Sequence, residues 1–200
     1  MSRTGLFGGS FDPVHNGHIK LAEFMMNELS LDRMIVIPTF VSPFKTGGSA
    51  AEDRYEMCRF AFSGEKYEVS RIETDREGKS YTIDTVKEIR KTYPDDELFL
   101  IIGSDQLKNF HKWYKAAEIL SEVTLCAVSR ETGDTCEELE KTADENLRKY
   151  GKVLIKKFEP LEISSTEIRN MAAAGNDITP FVPEAVAGFI KTRGLYREKQ

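Results

Sequence analysis

Two hundred residues, 40% hydrophobic and 30% charged, suit one α/β domain with a sizeable core. The formal net charge of −5 argues against a general nucleic-acid surface, so an anionic ligand has to meet local positive charge rather than a basic face. No apolar run approaches membrane-spanning length, the N-terminus passes into a strand without a signal peptide, and Cys58, Cys126 and Cys136 form neither a disulfide framework nor a zinc pattern; a cytoplasmic setting follows.

The first strand is Thr4 to Phe7, followed by the string Gly8-Gly9-Ser10-Phe11-Asp12-Pro13-Val14-His15-Asn16-Gly17-His18. A helix from Asn16 to Leu29 then sets Ile19, Ala22, Met25, Met26 and Leu29 on one face. Met34 to Ile37 is a continuous apolar run, as in a parallel strand covered on both sides, and Pro38 ends it. Thr39 to Ser49 is a loop carrying Pro43, Phe44 and Lys45. Ala51 to Phe62 reads as a helix with Tyr55, Cys58 and Phe62 on one side, Tyr67 to Glu73 as an alternating strand, and Thr82 to about Thr92 as a capped helix. After Pro94-Asp95-Asp96 comes the strand Leu98 to Ile102, with Gly103-Ser104-Asp105 at its exit. Trp113-Tyr114 opens a helix to Leu120; Val123 to Val128 is a strand, Cys136 to Tyr150 a polar helix and Val153 to Phe158 a strand. Ser164 and Glu167 make a capping box, Gly175 stops that helix, and Pro183 opens the last one. Strands alternate with helices throughout, which predicts a doubly wound parallel sheet in a single domain spanning residues 1–200. In such a sheet ligands bind beyond the carboxyl ends of the strands, where the motifs fall.

The histidine string is neither of the two common phosphate loops: no GxxxxGK[ST] and no GxGxxG is present. Gly8 and Gly9 allow close approach of a ligand to the backbone, and the helix start offers unpaired N–H groups and the positive end of a dipole. His15 and His18, three apart, share one face of the first turn; each can donate to a phosphate oxygen and each can carry a charge near neutral pH. Taken alone, Ile163-Ser164-Ser165-Thr166-Glu167-Ile168-Arg169 is a capped helix with an Arg; beside the histidines it is a second phosphate cradle. Asp12 before Pro13 reads as a turn-shaping residue, and His111 as a surface residue.

The His15-Asn16-Gly17-His18 form after Gly-Gly-Ser-Phe-Asp-Pro, with ISSTxIR intact at 163–169, resembles the bacterial nicotinate-nucleotide adenylyltransferases, nucleotidyltransferases that carry an HxGH motif on a Rossmann-like sheet. The resemblance covers nearly the whole chain, down to Gly194-Leu195-Tyr196. It implies transfer of AMP from ATP to nicotinate mononucleotide, giving deamido-NAD and pyrophosphate. It further implies that His15, His18, Lys45 and Arg169 act in catalysis, that Gly8, Gly9, Ser10, Phe11, Gly103, Asp105, Ser164, Ser165 and Thr166 bind ATP, and that Thr85, Trp113, Tyr114 and Arg130 bind the acceptor. Magnesium would arrive with ATP, and the chain offers no carboxylate cage of its own for it. Two departures stand out: Phe44 replaces a family histidine, and Glu131-Thr132 follow Arg130 where a Pro-Gly is common. Another adenylyltransferase, with nicotinamide mononucleotide or phosphopantetheine as acceptor, and a non-catalytic nucleotide sensor are the alternatives; a homo-oligomer stays open. The partners expected are small molecules, with no nucleic acid and no membrane.

Overall fold

The computed structural model describes residues 1–40, 48–76, 78–129 and 135–197. The strands are β1 (Arg3–Gly9), β2 (Arg33–Pro38), β3 (Tyr67–Val69), β4 (Glu97–Gly103), β5 (Thr124–Ser129) and β6 (Val153–Lys157). The helices are α1 (Asn16–Glu28), α2 (Ala51–Ala61), α3 (Thr82–Thr92), α4 (Ser104–Asn109), α5 (Ala116–Glu122), α6 (Cys136–Asn146), α7 (Ser165–Ala173) and α8 (Glu184–Arg193). All strands pair in parallel, in the order β3-β2-β1-β4-β5-β6. The expected doubly wound parallel sheet is therefore the one observed. From β1 the chain winds outward through β2 and β3, then returns to pair β4 on the other side of β1. The β1–β4 boundary is thus the switch point, where a crevice opens beyond the strand ends.

The alternation of side chains along each strand divides the core in two. Phe7, Met34, Val36, Phe99, Ile101, Cys126 and Val128 face one layer, which α1, α2, α7 and α8 cover with Met25, Met57, Ile168 and Val186. Leu6, Ile35, Ile37, Leu98, Leu100, Ile102, Leu125 and Ala127 face the other, covered by α3 to α6 with Val86, Leu107, Ile119 and Leu139. Phe99, fully buried at the sheet centre, anchors the first layer; its truncation to alanine would cost about 3–5 kcal/mol.

The boundaries differ from the sequence reading in several places: α6 ends at Asn146 rather than Tyr150, and α4 is an added short helix. β1 continues through Gly8 and Gly9, which stay in register with Ile37 and Pro38, so the chain leaves the sheet only at Ser10. β3 has three paired residues, because Ile72 to Arg76 turn away from the sheet edge. α5 starts at Ala116 rather than at Trp113: Trp113 is extended and Lys115 adopts the left-handed conformation (φ 56°), which no helix can pass through.

Candidate active site

A cleft of about 1250 Å³ opens at the switch point. Its walls are the segment from Ser10 to His18 after β1, Gly103 to Asp105 after β4, Thr39 and Phe40 after β2, the start of α2, and Ile163 to Arg169.

The β1 segment is held from several sides. Phe11 takes a left-handed conformation (φ 48°) and buries its ring beneath His18 at 5.1 Å, against Phe7 at 5.4 Å. A Cβ on Gly9 would sit 3.0 Å from that ring, so Gly9 admits Phe11. The cleft lining in this stretch begins at Ser10 and Phe11, and the phenyl ring of Phe11 packs against His18. His15, at the N-cap of α1, is 7% exposed, and its ring stacks on that of His18 with centroids 3.7 Å apart. Gly17 leaves room for the His15 ring: a Cβ there would lie 3.0 Å from His15 Cε1 and Nδ1.

Burial lowers the His15 pKa to about 4, so this imidazole is neutral at neutral pH, which corrects the expectation that both histidines carry charge. Its Nδ1 is buried without a partner among the described residues. His18 Nδ1 accepts a hydrogen bond from the His15 backbone N–H at 3.2 Å, so neutral His18 carries its proton on Nε2.

The second motif docks directly onto the first. Ser165 Oγ donates to the Pro13 carbonyl at 2.9 Å, and Arg169 Nη1 donates to the Asp12 carbonyl at 2.7 Å. Ser164 forms the capping box of α7: its Oγ accepts from Glu167 N at 3.2 Å, and Glu167 Oε2 accepts from Ser164 N at 2.8 Å. Ser164 and Ser165 both line the cleft while their hydroxyls make these bonds. Thr166 and Arg169 also line the cleft, the Thr166 hydroxyl accepting from Arg169 Nη2 at 3.1 Å, and the first-turn amides of α7 have no helical carbonyl to pair with. Asp105 lies on the cleft wall beside Gly103, whose amide is capped by Gln106 Oε1 at 3.1 Å.

The family model described as Cytidylyltransferase-like matches residues 6–171, which holds both motifs. Over 98% of its length the chain is 36% identical to the whole of a protein of Clostridium tetani named "Probable nicotinate-nucleotide adenylyltransferase", and 39% identical to the whole of one so named from Thermus thermophilus. The chain belongs to the nicotinate-nucleotide adenylyltransferase family. Solved structures of the Plasmodium falciparum nicotinic acid mononucleotide adenylyltransferase, complexed with APC and with NaAD, share the fold over 98% of both chains, with TM-scores of 0.78 and 0.77 at 19% identity.

The residues that the family resemblance places around the pyridine ring form an adjoining group rather than the cleft wall. Trp113 stacks on Phe110 at 4.9 Å and spends its amide on the Phe110 carbonyl, while Tyr114, 55% exposed, meets Tyr81 at 5.1 Å. That ring contact joins the Trp113-Tyr114 segment to the start of α3, which carries Thr85. Thr85 itself is buried: its Oγ1 donates to Glu73 Oε1 at 2.7 Å and accepts from Arg76 Nη2 at 3.0 Å. Its hydroxyl proton is thus taken up within the protein. Lys45, Phe44 and Arg130 lie outside the described residues.

Two site residues escaped the sequence reading. Asp12 is more than a turn former: Oδ1 accepts from Tyr196 Oη at 2.8 Å and Oδ2 from Ser49 N at 3.2 Å. Arg54 is buried at the cleft wall and donates to three main-chain carbonyls. Its signal was available, since positions 54, 58 and 62 fall at i, i+4 and i+8, the face that Cys58 and Phe62 mark as buried.

Proposed function

We propose that this chain transfers the adenylyl group of ATP to nicotinate mononucleotide in NAD biosynthesis, giving the deamido dinucleotide and releasing pyrophosphate. Family membership supports the reaction class. The observation that carries the mechanism is the joining of two helix N-termini, α1 with its histidine pair and α7 with Arg169, through the Ser165–Pro13 and Arg169–Asp12 bonds. Two sites for anions are thereby fixed a bond apart, at the switch point of the sheet.

The nucleophile is a phosphate monoester whose second pKa is about 6, so it is largely ionised at neutral pH and needs no strong general base. One of its oxygens bonds to the α-phosphorus as the bond from that phosphorus to the β-bridging oxygen breaks. The protein's task is to align two anions and to stabilise charge on the α-phosphoryl and the departing pyrophosphate. Neutral His15 and the Nε2–H of His18 supply hydrogen bonds to the phosphates. Thr166, Arg169 and the first amides of α7 hold the β,γ end, and Asp105 accepts from the ribose hydroxyls. Magnesium enters as part of the ATP substrate. The described residues include no group of three His, Cys, Asp or Glu placed to hold a metal, and both Asp12 oxygens already have donors, so phosphate oxygens and water are its natural ligands.

The test is product analysis with ATP and four acceptors: nicotinate mononucleotide, nicotinamide mononucleotide, phosphopantetheine and glycerol 3-phosphate. Deamido dinucleotide and pyrophosphate in equal amounts are expected, with kcat/KM for the acid above that for the amide by about 10⁴, the discrimination open to a site built around polar groups. Equal constants for acid and amide would reject an acid-selective enzyme, and no product with any acceptor would leave a nucleotide sensor.

A further inference from the structure

A nucleoside triphosphate and a phosphate monoester together bring several negative charges into this cleft. Among the described residues that line it, only Arg54 and Arg169 hold permanent positive charge, and Asp12 and Asp105 oppose them. His15 adds none at neutral pH, because burial keeps it unprotonated. Arg169 belongs to the motif already discussed. Arg54 belongs to no motif.

Arg54 is 6% exposed. Its Nε donates to the Ser49 carbonyl at 3.1 Å, Nη1 to the Ser10 carbonyl at 2.9 Å and Nη2 to the Phe40 carbonyl at 2.8 Å. These partners belong to three different segments: the exit of β1, the exit of β2 and the residue just ahead of α2. All three are neutral. A buried arginine is ordinarily paired with a carboxylate, because desolvating a guanidinium is costly. Here no carboxylate of the described residues comes within ion-pair distance. Asp12 and Glu73 act on it only at longer range; the Asp12 oxygens accept from Tyr196 and Ser49, and Glu73 Oε1 accepts from Thr85. The guanidinium stays charged in any protein environment. Three carbonyls fix it in place without neutralising it, so its field is left to whatever enters the cleft.

We infer that Arg54 is a resident cation of the phosphate site, holding the polyphosphate of the incoming nucleotide through its charge while its fork fixes the Ser10 and Phe40 carbonyls. It is a positioning residue, acting by field and by the loops it joins rather than as a group at the reacting atoms. The inference rests on the adenylyl-transfer reading and extends it to a residue outside both motifs.

The experiment compares Arg54→Lys, which keeps the charge but cannot reproduce the fork, with Arg54→Gln, which keeps amide donors and loses the charge. Inorganic triphosphate binding, by calorimetry, and kcat/KM for ATP are measured on protein shown by circular dichroism to be folded. Arg54→Gln is expected to lose about 10- to 100-fold in both, and Arg54→Lys to stay within about threefold of the parent. Triphosphate affinity unchanged in Arg54→Gln would overturn the inference, as would equal losses in both variants, which would assign the effect to the fork alone. Should Arg54→Gln not fold, Arg54→Met gives the same comparison, and a collapse of triphosphate binding in folded Arg54→Lys would by itself refute a role for the charge. If the parent protein transfers no adenylyl group to any acceptor, the functional reading fails whatever the variants do; if the parent is active and Arg54→Gln matches it, only the assignment of Arg54 fails.

Discussion

The buried histidine makes stability depend on acidity in a way that can be worked out beforehand. Burial places the His15 pKa at about 4 in the folded protein, against 6.5 for an ordinary histidine. Between these values the unfolded chain binds a proton that the folded chain does not. Stability is therefore complete above pH 6.5 and declines as the pH falls through that window, reaching a floor near pH 4. Each unit of difference between the two pKa values is worth about 1.36 kcal/mol, so His15 alone should remove about 2.5 kcal/mol between pH 7.5 and pH 4.5. That is a sizeable part of a typical domain's total stability, about 5–15 kcal/mol. Urea unfolding at a series of pH values, on the parent and on His15→Gln, isolates the term. Glutamine does not titrate, so other groups cancel in the comparison. His15→Gln starts from a lower stability at pH 7.5, for loss of ring packing against His18, but its decline toward pH 4.5 should be shallower by about 2.5 kcal/mol. If the two proteins lose stability in parallel over that range, His15 titrates normally in the fold and the neutral imidazole assigned to the site is wrong.

Two substitutions probe the chemistry. His18→Ala removes the Nε2–H donor, so turnover of the folded variant should fall by about 10²–10³, while loss of the ring packing against His15 and Phe11 lowers the unfolding temperature; near-parental turnover would remove His18 from the mechanism. Arg169→Ala breaks the bonds to the Asp12 carbonyl and to Thr166 as well as the proposed phosphate contact, and should weaken ATP binding by about 1.5–3 kcal/mol, read by calorimetry, with the acceptor largely spared. A loss confined to the acceptor would mean that the two ends of the cleft have been assigned the wrong way round.

Much of the architecture was open to a reading of the chain because parallel strands covered on both faces leave uninterrupted apolar runs. Met34 to Ile37 and Leu98 to Ile102 could hardly be anything else, and Gly103 and Ser164 mark strand and helix ends by their own chemistry. What escaped depends on contacts distant in sequence. Nothing local says that Lys115 adopts a left-handed conformation and delays α5, since lysine is not a residue that favours it. Gly8 and Gly9 look like a turn until β2 is seen to pair with them. Histidines three apart at a helix start suggest two titrating groups, and only the folded structure shows that His15 is largely buried. That Ser165 also ties down the Pro13 carbonyl, 152 residues away, is likewise out of reach of a local reading. Arg54 could have been noticed from its helical phase; that it reaches three carbonyls from separate segments could not.

The signature segment emerges early in synthesis and is finished late. Asp12 waits for Ser49, then for Arg169 and finally for Tyr196; Pro13 waits for Ser165; Asn16 is held by the carbonyls of Pro180 and Phe181. A growing chain that has made β1, β2 and β4 already owns the middle of its sheet. It still lacks the attachments to Ser165, Arg169, Pro180, Phe181 and Tyr196, all of which lie 152 to 184 residues further along. Contacts that span so much chain are slow to close. A nascent chain therefore carries both histidines long before the segment that holds them has all its attachments.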